Sequence, residues 1–294
     1  MNKDYRSAIY SFIERLDSEH SKVAYLGDLK QFFESVPIFD LTKISKEHLI
    51  FFKNKLKERY STASVARKIT TLRAFFNWLE ETEVISKNPS KFVRAPRQDS
   101  QYGKTPEISD AEVRLLLGAP DCSTHRGLRD YLILAILWNT GVRASELLGL
   151  RHGDFTHENG FHILTVRGKG NLLRRIPLKD YLAHELRRHI AIQSLNDTNA
   201  FIFSPSVNNR GKYTDKAISR SYLRHLVRSY AAKAGISDQI TTHSARVTAC
   251  SHVAERGASE LEIRSLFGWR SDMSPRYARR RGEVRNSAAH KIAY

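Results

Sequence analysis

A proline-containing stretch between residues 87 and 109, KNPSKFVRAPRQDSQYGKTPEIS, divides the sequence into two parts. It has three prolines, several charges and no apolar periodicity. Because proline lacks an amide hydrogen and interrupts both helices and sheets, such a stretch is typical of a linker. We therefore predict one domain over residues 1–95, a linker over residues 96–106 and a second domain over residues 107–294.

The part before the linker repeats its apolar residues every three or four positions, which predicts amphipathic helices. Its longest segment, STASVARKITTLRAFFNWLEETEVI, places Arg67, Lys68 and Arg73 mostly outside the apolar stripe. An earlier segment, SKVAYLGDLKQFFESV, repeats the pattern from Val23 onward. We expect an entirely helical first domain. The stripe of the longest segment consists of Val65, Ile69, Leu72, Phe76 and Leu79.

The second part is also mainly helical, but one segment changes its period. In GFHILTVRGKGNLLRRIPL, two β-rich runs flank the triplet GKG. A glycine-framed turn of this kind predicts a β-hairpin, with Lys169 at its tip. Gly141 follows a helical segment and is expected to end it. The predicted fold class is therefore mainly α, with a small β-hairpin or sheet in the second domain.

The net charge of the chain indicates the class of molecule that it binds. Lysine and arginine number 48 against 31 acidic residues, a formal charge of +17, which favours a polyanion, with nucleic acid first and an anionic membrane surface second. No segment resembles a basic amphipathic helix with a bulky lipid face, a membrane span or a secretory signal. Cys122 and Cys250 provide neither a disulfide framework nor a metal set. We expect a soluble, cytoplasmic protein without a metal or membrane partner.

Two pairs of charged residues are candidates for binding an anion. Arg143 lies three residues before Glu146, a spacing that places both on one helix face, either as a positioned guanidinium or as a surface ion pair. His243 and Arg246 have the same spacing near a predicted helix start, where free amides and the helix dipole favour an anion. The alternative for His243 is a capping or core histidine. A zinc site lacks a closing partner at ligand spacing.

Two further features each permit a structural or a chemical interpretation. Lys169 is either a solvated hairpin tip or a proton donor. In FGWRSDMSPRYARRR, Trp269 and Tyr277 are either packing residues or parts of a site in which arginines hold a phosphate beside a phenol. None of these features is specific by itself. Their order along one basic chain is more informative than any one of them.

With these residues in this order, the chain resembles the tyrosine recombinases of the phage integrase family over nearly its whole length. TGVRASELLGLRHGDF resembles the first arginine box, and THSARV with LFGWRSDMSPRYARR resembles the second box and the nucleophile. Two positions depart from the common pattern: Trp269 replaces a frequent histidine, and Val247 stands where histidine or lysine is frequent. The interval from Trp269 to Tyr277 is also one residue shorter than the usual family spacing.

The resemblance implies a C-shaped, two-domain DNA clamp, with a helical SAM-like core-binding domain and an α+β catalytic domain. It implies site-specific recombination of double-stranded DNA through a 3′-phosphotyrosyl bond and a Holliday junction, by four protomers that exchange the C-terminal segment GEVRNSAAHKIAY. Neither a metal nor another cofactor is implied, and an accessory protein is left open. The implied catalytic set is Arg143, Lys169, His243, Arg246, Trp269 and Tyr277, with Glu146 in support.

The resemblance also assigns a role to each residue. Tyr277 attacks the phosphorus, Arg143 and Arg246 hold the phosphate oxygens, His243 manages the phenol proton and Lys169 protonates the leaving 5′-oxygen. Of the remaining two, the tryptophan adds an indole N–H or a wall, and the glutamate orients the first arginine and the histidine. Candidates for contact with the DNA backbone are Arg67, Lys68, Arg73, Arg270, Arg276, Arg279, Arg280 and Arg281.

Two other functions fit part of the same pattern. A type IB topoisomerase resembles the catalytic box but relaxes DNA without strand exchange, and a DNA-binding regulator would carry a silent site. The helical first domain and the short chain favour the recombinase. Since the sequence begins almost directly with the helical domain, we expect a simple, Xer-like member without an additional arm-binding domain.

Overall fold

The computed structural model describes residues 5–38, 40–96, 105–168, 171–193, 197–205 and 213–269. The chain divides into two units, Met1–Asp99 and Ser100–Tyr294. The division lies within the stretch for which a linker is predicted. Among the described residues, no helix combines the length and the apolar character that a membrane crossing requires.

The described residues of the first unit form four α-helices, and the prediction of an entirely helical domain is confirmed for them. The five stripe positions of the longest helix are all fully buried, because their spacing places them on one face of the helix. Val23 is 72% exposed, and the buried residues of its helix begin only at Asp28. The apolar pattern predicted from Val23 onward is therefore not a buried face in the first turns of this helix. The helices are α1 (Tyr5–Glu14), α2 (Glu19–Ser35), α3 (Lys46–Arg59) and α4 (Thr62–Glu81), with a 3₁₀ turn at Leu41–Lys43.

The second unit is built around α6, whose side chains are buried on nearly all sides. Helices α5, α8 and α10 pack against it. Gly141 ends α6 in the left-handed conformation, with φ +61°, as the sequence predicts. The helices of this unit are α5 (Asp110–Gly118), α6 (His125–Thr140), α7 (Ala144–Leu148), α8 (Asp180–Gln193), α9 (Arg220–Lys233), α10 (Thr242–Glu255) and α11 (Glu260–Phe267), with a 3₁₀ turn at His152–Asp154.

A three-stranded antiparallel sheet with the order β1–β2–β3 lies beside these helices. Its strands are β1 (Phe155–Glu158), β2 (Phe161–Arg167) and β3 (Leu173–Leu178). The predicted hairpin is confirmed as β2 and β3, whose register pairs Arg167 with Leu173. Strand β1 is an addition to the prediction. The turn that joins it to β2 is Asn159-Gly160, both at positive φ, and this dipeptide is a strong hairpin signal.

Candidate active site

Arg143 lies at the N-terminus of the short helix α7, directly after the turn that ends α6. Its backbone amide donates to Glu146 Oε2 at 2.7 Å, and its Nη1 donates to Glu146 Oε1 at 2.7 Å. The Glu146 side chain is only 2% exposed, whereas that of Arg143 is 38% exposed. A buried carboxylate therefore holds the guanidinium from one side and leaves part of it open to solvent.

Arg246 lies on α10 and is 3% exposed. Its Nη1 donates to the carbonyl oxygen of Gly141 at 2.7 Å, and its Nη2 donates to the carbonyl oxygen of Phe267. The guanidinium carbon also lies 5.0 Å from the ring centroid of Phe267 and 5.4 Å from that of Trp269, within the range of cation–π attraction. Arg246 thus connects α10 with the ends of α6 and α11.

Trp269 is the last residue before the undescribed C-terminal segment, and its ring stacks on that of Phe267 with centroids 5.1 Å apart. The indole therefore lines the side of the arginine cluster. The resemblance implies either an indole N–H donor or a wall at this position, and both stay predictions. Glycine is required at Gly141 by the same packing, because a methyl group there would lie 2.3 Å from Cε1 of Phe267. The aromatic pair and this glycine fix the surroundings of Arg246.

His243 is the second residue of α10, one turn before Arg246. Thr241 caps this helix and accepts from the His243 amide at 3.2 Å. Partial burial of the imidazole, together with the positive charges of Arg246 and Arg143, lowers the pKa of His243 below its ordinary value of 6.5. The ring is therefore held mainly in its neutral form at pH 7, in which one nitrogen can accept a proton.

Arg174 on β3 belongs to the same cluster, although it is absent from the predicted set. Its Nη2 donates to Glu146 Oε2 at 2.6 Å, and its Nη1 donates to the carbonyl oxygen of Leu266 at 2.7 Å. The alternation of the strand contains a signal for this residue, since Arg174 has the same parity as the buried Ile176 and Leu178. An arginine on the inward face of a strand is expected to have a specific partner.

The arrangement can bind an anion. The guanidiniums of Arg143, Arg174 and Arg246 and the imidazole of His243 lie near one another here. The Glu146 carboxylate accepts hydrogen bonds from Arg143 and Arg174. The pKa of Arg174 is lowered by burial and, to a lesser degree, by the charge of Arg143, although Glu146 opposes both. Mutual repulsion of this kind is relieved when an oxyanion binds, and guanidinium forks suit the oxygens of a phosphate. Among the described residues, no cluster of metal-ligating side chains is present.

Several predicted residues lie outside the described residues, so their positions are not part of this geometry. They are Lys169, Arg270, Arg276, Tyr277, Arg279, Arg280 and Arg281. The structure brings together Arg143, Glu146, His243, Arg246 and Trp269, and adds Arg174.

The three basic residues predicted to contact DNA from the first unit have different surroundings. Lys68 is 9% exposed, and its Nζ donates to Asp28 Oδ1 at 2.9 Å and to Gln31 Oε1 at 2.7 Å. Arg67 binds Asp28 through both nitrogens of its fork, and its side chain is 48% exposed. Arg73 is exposed. The geometry therefore suits Arg73, and in part Arg67, to a contact with DNA, whereas Lys68 is engaged inside the helical unit.

Two family models match the sequence. Residues 107–281 match the model of the phage integrase family. Residues 8–83 match the model of the phage integrase N-terminal SAM-like domain. The first match spans the anion-binding cluster and the second spans all or part of each of the four helices of the first unit.

Known proteins resemble the chain in sequence and in fold. Tyrosine recombinase XerC of Thermodesulfovibrio yellowstonii is 31% identical over 271 residues, which cover 87% of this chain and 84% of that protein. The XerH site-specific recombinase bound to a palindromic difH substrate superposes with a TM-score of 0.74 at 20% identity, over 92% of this chain and 79% of that one. A lambda integrase tetramer bound to a Holliday junction gives a TM-score of 0.68 at 18% identity, with 92% and 78% covered.

Proposed function

Since the chain belongs to the phage integrase family and is a site-specific tyrosine recombinase, we propose that its arginine cluster holds the scissile phosphate of a DNA recombination site. The enzyme cuts and rejoins DNA strands. The observation that carries the proposal is the pair of bonds that place Arg246 on Gly141 and Arg143 on Glu146. Two guanidiniums are thereby held near one turn, and this arrangement supports a site for the two non-bridging oxygens of a phosphate.

The proposed reaction is phosphoryl transfer without a change in the number of phosphodiester bonds. The phenol oxygen of Tyr277 forms a bond to phosphorus, and the bond from phosphorus to the 5′-oxygen breaks. His243 accepts the phenol proton, and Lys169 supplies a proton to the departing 5′-oxygen. The 3′-phosphotyrosyl bond keeps the energy of the phosphodiester, so a 5′-hydroxyl of another strand can reverse the step and complete a strand exchange.

The described residues contribute charge and geometry to this reaction. Negative charge accumulates on the non-bridging oxygens during attack, and fixed guanidiniums stabilise that charge without reorganising. The neutral form of His243, favoured by its lowered pKa, is the form that can accept the phenol proton. Trp269 borders the cluster through its stack with Phe267 and limits the access of water to the phosphate.

The proposal extends to partners. The formal charge of +17 suits duplex DNA, and the similarity to a lambda integrase tetramer bound to a Holliday junction supports a tetramer as the synaptic assembly. Since its substrate is the DNA of the cell, the enzyme acts in the cytoplasm. The likeness to XerC supports a Xer-like recombinase.

The test is covalent attachment of the protein to DNA. A supercoiled plasmid that carries the genomic flanks of the gene is incubated with the protein and EDTA, without ATP, and stopped with detergent. We expect an adduct with the wild type that is absent for Tyr277→Phe and at least about 100-fold reduced for Arg143→Ala, as for loss of one fixed donor. Arg256→Ala, at the exposed end of α10, is the matched control and should retain the adduct.

Each contrary result has a defined meaning. An adduct that survives Tyr277→Phe would assign the nucleophile to another residue. Equal relaxation of a plasmid without the flanks would favour a topoisomerase, and bound DNA without any adduct would favour a silent regulator. Wild-type activity in Arg143→Ala would overturn the phosphate site.

A further inference from the structure

Arg174 joins three elements of the second unit at one guanidinium. It extends from β3, donates to Glu146 at the start of α7 at 2.6 Å, and donates to the carbonyl oxygen of Leu266 at the end of α11 at 2.7 Å. Its side chain is 10% exposed. Both bonds link it to protein groups and its side chain is nearly buried, so Arg174 is placed to hold other residues rather than to meet a ligand in solvent.

Two arginines bind the carboxylate of Glu146. Oε1 accepts from the side chain of Arg143, whereas Oε2 accepts from the Arg143 amide and from Arg174. Arg143 contacts both oxygens, but through a short local turn and one guanidinium nitrogen only. Arg174 adds a donor from a different element, β3, and thereby ties the carboxylate to the sheet. A charge-assisted bond of this kind restrains the carboxylate, and with it the direction in which the more exposed Arg143 points.

The stem of Arg174 lies close against Gly268. Gly268 has φ +62°, and a methyl group at this glycine would lie 2.6 Å from Cδ of Arg174. The carbonyl oxygens of Leu266 and Phe267, in the last turn of α11, accept from Arg174 and Arg246 respectively. Two arginines of the cluster therefore bind the C-terminal end of α11, which is the negative end of its helix dipole.

We propose that Arg174 is a positioning residue of the recombinase, which fixes the Glu146 carboxylate against the end of α11 so that Arg143 is aimed at the scissile phosphate. This inference rests on the proposed function, since it needs Arg143 to act on a phosphate. Arg174 touches neither the DNA nor the reacting atoms. Its removal affects the reaction through the direction of Arg143.

The strand provides a matched control. Arg175 is the next residue of β3, has the opposite parity, and pairs with the exposed Glu158 through a side chain that is itself 56% exposed. Arg174→Gln and Arg175→Gln thus remove the same charge from adjacent positions of one strand. Arg174→Lys restores a cation that can reach Glu146 but lacks the second donor arm for Leu266.

The experiment measures single-turnover cleavage at saturating enzyme, on a duplex that carries the cleavage position mapped from the Tyr277 adduct. We expect Arg174→Gln to lower the maximal rate about 10- to 100-fold, as for a misaligned reactive group, with Arg174→Lys partly restored and Arg175→Gln unchanged. The same duplex with a methylphosphonate at that position supplies a second readout. Its phosphorus group is neutral and needs less cationic stabilisation, so the loss should shrink for Arg174→Gln as it does for Arg143→Gln.

A purely structural role for Arg174 predicts a different pattern. The proposal is overturned if Arg174→Gln loses the same factor on both substrates, or if it cleaves the phosphate at the wild-type rate. Thermal melting shows whether Arg174→Gln is folded. If it is not, the comparison of the two substrates is made with Arg174→Lys instead. Failure of the proposed function itself is recognised separately, as the absence of a Tyr277-dependent adduct in the wild type.

Discussion

Arg246 Nη1 donates to the carbonyl oxygen of Gly141 over 2.7 Å, two residues before Arg143 in the chain. The bond joins α10 to the end of α6, and it places the second arginine of the site beside the turn that carries the first. The same guanidinium donates to the carbonyl oxygen of Phe267. One side chain thus sets the relative positions of three helix ends around the anion site.

Replacement of Arg246 by lysine is expected to abolish recombination and to destabilise the fold. A single ammonium group cannot donate to both carbonyl oxygens in the geometry of the fork. One buried acceptor is then left without a partner, which costs about 1–3 kcal/mol. Urea unfolding and the adduct assay measure the two effects. Arg256→Lys, at the exposed residue that directly follows the same helix, is the control. An Arg246→Lys variant with wild-type adduct would contradict the prediction.

Gly141→Ala is expected to cost more stability than Gly235→Ala. Both glycines have positive φ, +61° and +70°, so each alanine incurs the left-handed cost of about 1–2 kcal/mol. Only at Gly141 would the new methyl group lie 2.3 Å from Cε1 of the buried Phe267, whereas nothing lies within 4 Å at Gly235. Parallel denaturant titrations measure the difference. Equal losses would show that the aromatic ring moves freely, contrary to the packing described.

The local features of the fold can be predicted from the sequence because periodic spacing and turn signals mark them within short segments. The stripe of α4, the end of α6 at Gly141 and the β2–β3 hairpin each depend on residues close together in the chain. Strand β1 has an equally local signal in Asn159-Gly160, which the expected hairpin omits. Arg174 is recognisable by its parity with Ile176 on the strand, once the strand itself is assigned.

The partners of the charged residues do not follow from the sequence. Lys68 lies outside the apolar stripe and therefore resembles a surface cation, but α2 brings Asp28 to it from 40 residues away. Likewise, Arg174 and Leu266 are 92 residues apart. Such pairs depend on how helices and strands pack, and periodicity within one element contains no information on the face of the next.

His243 is expected to titrate below 6.5 in the free protein, because partial burial and the charges of Arg246 and Arg143 oppose its protonation. The sign follows: the folded state loses stability as the pH falls below 6.5, since the unfolded chain binds the proton more readily. Arg143→Gln removes one of the opposing charges and should raise the pKa towards 6.5. The imidazole proton resonance, assigned with His243→Gln, reports the pKa directly. Arg175→Gln should leave it unchanged, and a value above 6.5 in the wild type would refute the electrostatic account.

Asp28→Asn is expected to destabilise the first unit strongly at pH 7. The carboxylate is 2% exposed and accepts from Arg67, Lys68 and Thr71. Burial acts to raise the pKa of Asp28, but these hydrogen bonds prevail and lower it below the ordinary 3.8. An asparagine leaves the buried Lys68 without a counter-charge, for which about 3–5 kcal/mol is typical.

The difference in the free energy of unfolding between Asp28→Asn and the wild type should also depend on pH. With a lowered pKa, the ionised Asp28 contributes its full stability above 3.8, and that contribution is lost as the pH falls through the folded-state pKa. The two proteins should therefore converge in strongly acidic buffer, provided that both remain folded enough to titrate with urea. Glu19→Gln removes an exposed partner of Lys22 and should be indistinguishable from the wild type at pH 7. An Asp28→Asn loss that stays constant across the acidic range would show that the carboxylate is held for its shape and not for its charge.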